Sequence, residues 1–182
     1  MYPARRLVVP EARGKVLEIG VGTGLNFDLY RDLASLHGIE PDPYMLARAR
    51  PRAVTLPFAT VLLRAGAERM PFGDAEFDTV VLTFTLCTVP DPEAALAETR
   101  RVLKRDGRLL FAEHVRSPQP LFAGLQDVLT PLWKRIGGGC HLNRPALDLV
   151  RRAGFAVRHA EPVWGERWTL FPVYRGVAER AA

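Results

Sequence analysis

The sequence predicts an α/β domain built on a doubly wound, mostly parallel sheet of seven strands. Three observations point there. Short apolar, β-branched runs alternate with segments whose apolar residues recur at helical spacing. The alternation continues along most of the 182 residues, as a parallel sheet with crossover helices requires. The first apolar run, Val16-Leu17-Glu18-Ile19, ends in glycines at every second position, Gly20, Gly22 and Gly24. Glycines at the carboxyl end of a first strand let the backbone approach a ligand closely.

The elements follow in order. After the glycine turn, residues 25–33 carry apolar side chains at helical spacing and are expected as a helix. Residues 36–40 form a second strand, stopped by Pro41-Asp42-Pro43, behind which residues 44–50 open a second helix. Residues 61–64 are the third strand. A loop with Pro71, Gly73 and Asp74 leads to the fourth, 77–82. Asp91-Pro92-Glu93 is a helix start, with Asp91 as N-cap and Pro92 at the first helical position. That helix is expected to run on through 94–103 until Asp106-Gly107 breaks it. Residues 108–114 are the fifth strand. Residues 145–153 give a last helix closed by Gly154, and 155–161 and 169–178 the last two strands.

Between them, residues 115–144 interrupt the alternation. They hold an amphipathic stretch over 121–136 and the triplet Gly137-Gly138-Gly139, and an insertion this long in a compact domain is usually functional. The stretch is expected as a helix packing on the domain, an apolar lid, or a membrane-facing surface. With 48% apolar and 25% charged residues, the chain is expected as one domain, 1–182, with 115–144 as its acceptor-side insertion.

The net charge of +5 comes almost wholly from arginine, in scattered pairs at Arg5-Arg6, Arg100-Arg101 and Arg151-Arg152. No basic tail is present, so a nucleic-acid partner is not expected. Cys87 and Cys140 make no disulfide framework, which points to a reducing cytoplasm. Their spacing with the histidines matches no zinc motif, so no metal is expected. Residues 1–10 contain no apolar stretch of signal length, and any membrane contact is expected to be peripheral.

The spacing of the glycines bears on the ligand. A dinucleotide turn would place its third glycine at Leu25, whereas this one has Gly24, with Glu18 on the strand two residues before Gly20. That carboxylate repels phosphate and tolerates a cation. Glu40, followed by Pro41, closes the second strand where a carboxylate can accept both ribose hydroxyls.

Glu18-x-Gly20-x-Gly22-x-Gly24 resembles the first motif of class I S-adenosylmethionine-dependent methyltransferases. The resemblance implies S-adenosylmethionine as cofactor, S-adenosylhomocysteine as product and an antiparallel last strand. Ala67-Glu68-Arg69-Met70-Pro71-Phe72 is similar to the family's adenine loop. Gly66 stands where an acidic residue is common, so the carry-over is the Ala67 backbone and Glu68. Thr83, Phe84 and Leu86 fall where the family lines the methionine portion. Asn26 is expected at the cofactor's amino-acid portion or as a local cap.

A narrower resemblance lies downstream. The segments 82–89, Glu113-His114-Val115 and 133–140 look like those of a small methyltransferase-like group that includes alkyl thiol S-methyltransferases. This implies a small, apolar acceptor, with a thiol as first choice and a phospholipid or quinone-type acceptor as alternative. A non-catalytic cofactor-binding module and an NAD-dependent oxidoreductase are the rivals from other classes. Methyl transfer to a thiolate dissipates charge and depends chiefly on alignment, though a thiol with pKa near about 8.5 gains from a base. His114, at the end of the fifth strand, is the first candidate for that base, and His141, beside Cys140, the second. Glu113 and His114 alternate across the strand, so one of them is expected to face the cleft.

Overall fold

The structure is a computed structural model that describes residues 2–164 and 169–181. Its strands are β1 (Gly14–Ile19), β2 (Leu33–Ile39), β3 (Ala59–Leu63), β4 (Phe77–Thr83), β5 (Leu103–His114), β6 (Phe155–Trp164) and β7 (Val173–Arg180). They form one sheet in the order β3-β2-β1-β4-β5-β7-β6. Neighbours from β3 to β5 pair in parallel, and β7 is antiparallel to both β5 and β6. The predicted α/β class and the antiparallel last strand are both present. Strand order reverses between β1 and β4, and the crevice outside their carboxyl ends is where such sheets bind ligands.

Helices cover both faces. On one, α3 (Pro92–Val102) and α5 (Ala146–Arg152) bury Leu96, Val102 and Val150 against Leu17, Leu82 and Phe111. On the other, α1 (Tyr2–Val8) and α2 (Pro43–Ala53) bury Ala4, Val8 and Leu46 against Val16, Val81 and Leu110. The predicted caps are in place: the Asp42 side chain accepts from the Tyr44 and Met45 amides, and Asp91 from those of Glu93 and Ala94. α1 is fastened to β7 by Arg175, whose Nη1 donates to the Leu7 carbonyl (3.0 Å) and meets Glu11 Oε1 (3.3 Å).

Three expectations are corrected. No α-helix follows the glycine turn; residues 25–33 hold only a 3₁₀ turn, Phe27–Leu29, and β2 already starts at Leu33. The side chains that suggested a helix are committed elsewhere. Asn26 and Tyr30 turn under to Glu18, and the Phe27 ring packs where a Cβ on Gly24 would sit. Asp106-Gly107 does not end α3, which stops at Val102. Leu103 pairs with Phe77 and Arg108 with Thr79, so residues 104–107 bulge out, and the Lys104 ammonium meets Asp78 at 2.6 Å. The last strand begins at Val173 rather than at residue 169.

The amphipathic stretch of the insertion, expected as a packed helix, an apolar lid or a membrane-facing surface, is a single helix, α4 (Pro120–Ile136), with Leu129 and Trp133 packed inward and much of its apolar face exposed. Leu121, Leu125, Val128, Leu132 and Ile136 are 41–76% exposed, while Ala123, Gln126 and Thr130 are buried. Polar bonds hold the inward face. Gln126 accepts from the Ser117 amide (2.8 Å) and donates to the carbonyls of Val115 (3.3 Å) and Leu170 (3.0 Å). Among the described residues, no helix is long and apolar enough to cross a membrane.

Candidate functional site

A cavity of about 540 Å³ opens at the reversal of strand order, a size ordinary for small-molecule sites. The glycine turn makes its floor. Gly20 (φ +73°) and Gly22 (φ +55°) hold left-handed backbone that side chains rarely adopt, and both line the cavity. A Cβ on Gly20 would lie 2.8 Å from Thr85 Oγ1, whereas one on Gly22 would meet nothing nearer than Met45 Sδ at 4.0 Å. Backbone here is free to touch a ligand. Gly24 does not line the cavity; it shapes the turn from behind at φ +80°.

Glu40 reaches the cavity from the end of β2. Its Oε2 accepts from the Gly22 amide (2.9 Å) and its Oε1 from that of Asp42 (3.0 Å), so each oxygen keeps a free lone pair. Pro41, Ala67, Glu68 and Thr83 also line the wall.

Glu18 and Asn26 lie below it. Glu18 is buried under the turn, accepting from Asn26 Nδ2 and the Tyr30 hydroxyl, each at 2.8 Å. Burial pushes its carboxyl up to about 7, against the opposing pull of the Tyr30 and Asn26 bonds and the Arg5 charge. Neither side chain lines the cavity; both are fully buried beneath the turn, bonded to each other. Their influence arrives through Arg5, which sequence reasoning missed. From α1, its Nη1 donates to Asn26 Oδ1 (2.8 Å) and Thr83 Oγ1 (2.6 Å), and its guanidinium sits 5.1 Å from the centre of the Phe84 ring. Burial lowers its pKa from the ordinary value. Arg5 is the one arginine on the cavity wall among the described residues. The signal was there as a charged pair beside apolar Leu7, Val8 and Val9, but nothing in a sequence says which loop a short helix will reach.

Phe84, at the end of β4, is a non-glycine residue at φ +57°, a strained backbone of the sort found at binding sites. The loop behind it hangs on Glu113, whose Oε1 accepts from the amides of Thr85 (2.7 Å) and Leu86 (3.0 Å). Burial pushes the Glu113 carboxyl up to about 7. Leu86 is corrected from a cavity residue to a core residue: the loop's turn directs its side chain into the protein.

His114 does not open on the cavity. Its ring packs edge-on against Phe84, 5.1 Å between centres, and its Nδ1 is 3.7 Å from Cys140 Sγ. His141 is held away, with its backbone amide (2.7 Å) and Nδ1 (3.1 Å) both at the Cys87 carbonyl. Glu113 and His114 are therefore both buried, one bonded to the loop and the other to a cysteine. Cys87, His114 and Cys140, far apart in the sequence, place their ligand atoms within 4.8 Å of one another. Within the cluster the two thiols are unlike: bonds from Cys87 and His114 lower Cys140 to about 5, while Cys87 is raised. Thr88 and Gly138, near Cys87 and Cys140 in sequence, carry the wall on to the cavity mouth.

Known proteins resemble the chain in both sequence and structure. The profile of a family described as a methyltransferase domain matches residues 17–111. A thiol S-methyltransferase of Homo sapiens, TMT1B, is 36% identical over 151 residues, 80% of this chain and 62% of its own length. A phosphatidylethanolamine N-methyltransferase of Cereibacter sphaeroides is 34% identical over 126 residues, 68% of this chain and 62% of its own. The chain thus spans about three fifths of the length of these curated relatives. A crystal structure from Thermotoga maritima, described as a SAM-dependent methyltransferase and possible histamine N-methyltransferase, superposes with a TM-score of 0.67 at 27% identity. That match covers 97% of this chain and 88% of the other.

Proposed function

The chain belongs to the S-adenosylmethionine-dependent methyltransferases, and from that premise we propose that it methylates the sulfur of a small, apolar thiol. The observation that supports the cofactor half is the division of one cavity between Glu40 and Arg5. Glu40 follows β2, and Arg5 reaches in from α1 to Thr83 at the end of β4; those two strands flank β1, roughly 10 Å apart by strand spacing. Glu40 is suited to accept from ribose hydroxyls, and Arg5 to face the carboxylate of an amino acid. Ala67 and Glu68 border the adenine end, and the bare backbone of Gly20 and Gly22 lets the ligand lie close. When bound, S-adenosylmethionine supplies an electrophilic methyl group on a sulfonium.

On the acceptor side we place Thr88, Val89, Pro90 and Gly138, a mostly apolar mouth to which the 115–144 insertion contributes. His114 lies behind the Phe84 ring of this mouth and does not reach the acceptor as a base. The thiol is favoured by the relatives named for thiols and by this apolar mouth. A panel of small alkyl thiols, amines, phenols, quinols and phosphatidylethanolamine, followed by S-adenosylhomocysteine release, tests it. Release is expected with the thiols; release with the amine or lipid alone would overturn the thiol reading. Titration with NADH and with S-adenosylhomocysteine should show binding only of the latter.

A further inference from the structure

Three side chains remain without an assigned chemistry. Cys87 comes from the loop after β4, His114 from the end of β5 and Cys140 from the glycine segment after α4. One ligand atom from each lies within 4.8 Å of the other two, and all three residues are buried. The spacing is close to what a metal needs. Zinc bonds of about 2.3 Å to sulfur and 2.0–2.1 Å to nitrogen, at tetrahedral angles, set sulfur and nitrogen ~3.6 Å apart and two sulfurs ~3.8 Å apart. The Cys140 Sγ to His114 Nδ1 distance is 3.7 Å.

The surroundings are those of a supported site. The Cys87 carbonyl is gripped by both the amide and the ring of His141, and Arg144 Nη1 holds the Val89 carbonyl at 2.7 Å on the far side of that loop. Leu129, Trp133, Leu142 and Phe171 pack around the sulfurs and make a dry shell. Trp133 Nε1 is buried beside the cluster on the side of the Cys140 sulfur, a donor suited to a metal-bound thiolate.

We propose that Cys87, His114 and Cys140 bind a zinc ion whose fourth position is open to the sulfur of the acceptor. Two cysteines and one histidine are a ligand set that leaves zinc such a position. Binding releases the two thiol protons, and the ion with two thiolates is neutral, so no net charge is buried. What separates the cluster from the cavity is wall residues adjoining it: Phe84, whose ring lies 5.1 Å from that of His114, and Thr88, next to Cys87 in the chain. This use of the fourth position rests on the thiol reading above. An incoming thiol loses its proton to solvent as its sulfur coordinates. That sulfur then forms the bond to the methyl group as the methyl's bond to the sulfonium breaks, and the thioether leaves the zinc. His114 is then a ligand, and no base is needed.

The test is metal content and cobalt spectroscopy on the whole chain, purified with reductant and without chelator. One zinc per chain is expected after gel filtration. Replacement by Co²⁺ is expected to give a thiolate-to-cobalt absorption band and intense tetrahedral visible bands, which are lost in Cys87→Ser and Cys140→Ser. Those variants are to be matched to the parent by melting temperature and S-adenosylhomocysteine binding. His114→Ala is expected to keep the thiolate band and change the visible ones, and added 1-propanethiol to shift the parent's visible bands. A chain with well under one zinc, a Cys87–Cys140 disulfide found by mass, or cobalt bands unchanged in both cysteine variants would overturn the site and leave the thiol reading standing. Bands that ignore 1-propanethiol would overturn the open position. Stoichiometric zinc with no thiol turnover would overturn the thiol reading and spare the metal.

Discussion

Arg5 Nη1 donates to Thr83 Oγ1 across 2.6 Å, joining a helix near the start of the chain to the end of a strand 78 residues on. The same nitrogen meets Asn26, and Asn26 in turn holds Glu18, so one guanidinium closes a buried polar chain running beneath the glycine turn. The cationic corner of the cavity is therefore pre-organised rather than assembled by the ligand.

Replacing Arg5 removes that corner. Hydrogen bonds to charged groups are worth about 1.5–3 kcal/mol, so Arg5→Ala should weaken S-adenosylhomocysteine about ten- to hundredfold by calorimetry. Arg5→Lys should recover only part, because an ammonium cannot reproduce the planar fork. An unchanged Kd in Arg5→Ala would remove Arg5 from the cofactor site.

The two glycines of the turn should fail differently. In Gly22→Ala the new methyl group enters open cavity space, so cofactor binding should fall, with melting lowered only by the strain of alanine at φ +55°. In Gly24→Ala the methyl lands 2.6 Å from the Phe27 ring at φ +80°, so the melting temperature should fall instead. Equal effects of both on binding and melting would contradict this division.

Stability should decline as pH rises from about 4.5 toward 7. The Glu18 carboxyl titrates near 4.5 in the unfolded chain and is pushed up to about 7 by burial in the folded one. Between those values the folded state holds the extra proton, so stability is highest below the window and is lost across it, by at most about 3 kcal/mol. Urea unfolding of Glu18→Gln at pH 5 and pH 7.5 should show a smaller difference than the parent does; an equal difference would dissociate Glu18 from the slope.

Helix α4 gives a fourth expectation. Gln126→Leu adds an apolar group to a buried face, yet it should destabilise by about 1–3 kcal/mol because it strands the Ser117 amide and two carbonyls. Val128→Ser, removing an apolar side chain from the same helix, should stay within about 0.5 kcal/mol since Val128 is exposed. Denaturant midpoints of the two variants decide it.

Much of the fold can be read from local chemistry. Asp91-Pro92 and Asp42-Pro43 start helices because cap and fixed φ act within a few residues, and the β-branched runs become strands for similarly local reasons. The cavity wall from Gly20, Gly22, Glu40 and Ala67 is legible for the same reason: strand ends at a switch point fix it. What was illegible depends on partners distant in sequence. The spacing of residues 25–33 is helical, but buried bonds to Glu18 override it. For α4 the stripe left packed helix, lid and membrane-facing surface open, and which face turns inward is set by three bonds of Gln126 to distant backbone. Arg5 and the Cys87–His114–Cys140 cluster exist only because the chain folds back on itself over long separations.

The docking of α1 bears on the order of folding. Ala4 and Val8 rest on Val81 of β4 and Leu110 of β5, Arg5 bonds Thr83, and Arg175 of β7 holds the Leu7 carbonyl. Each of those partners lies roughly seventy residues or more along the chain from α1. The glycine turn can take shape from near neighbours, whereas the charged corner beside it waits for long-range contacts, a slow step by its contact order.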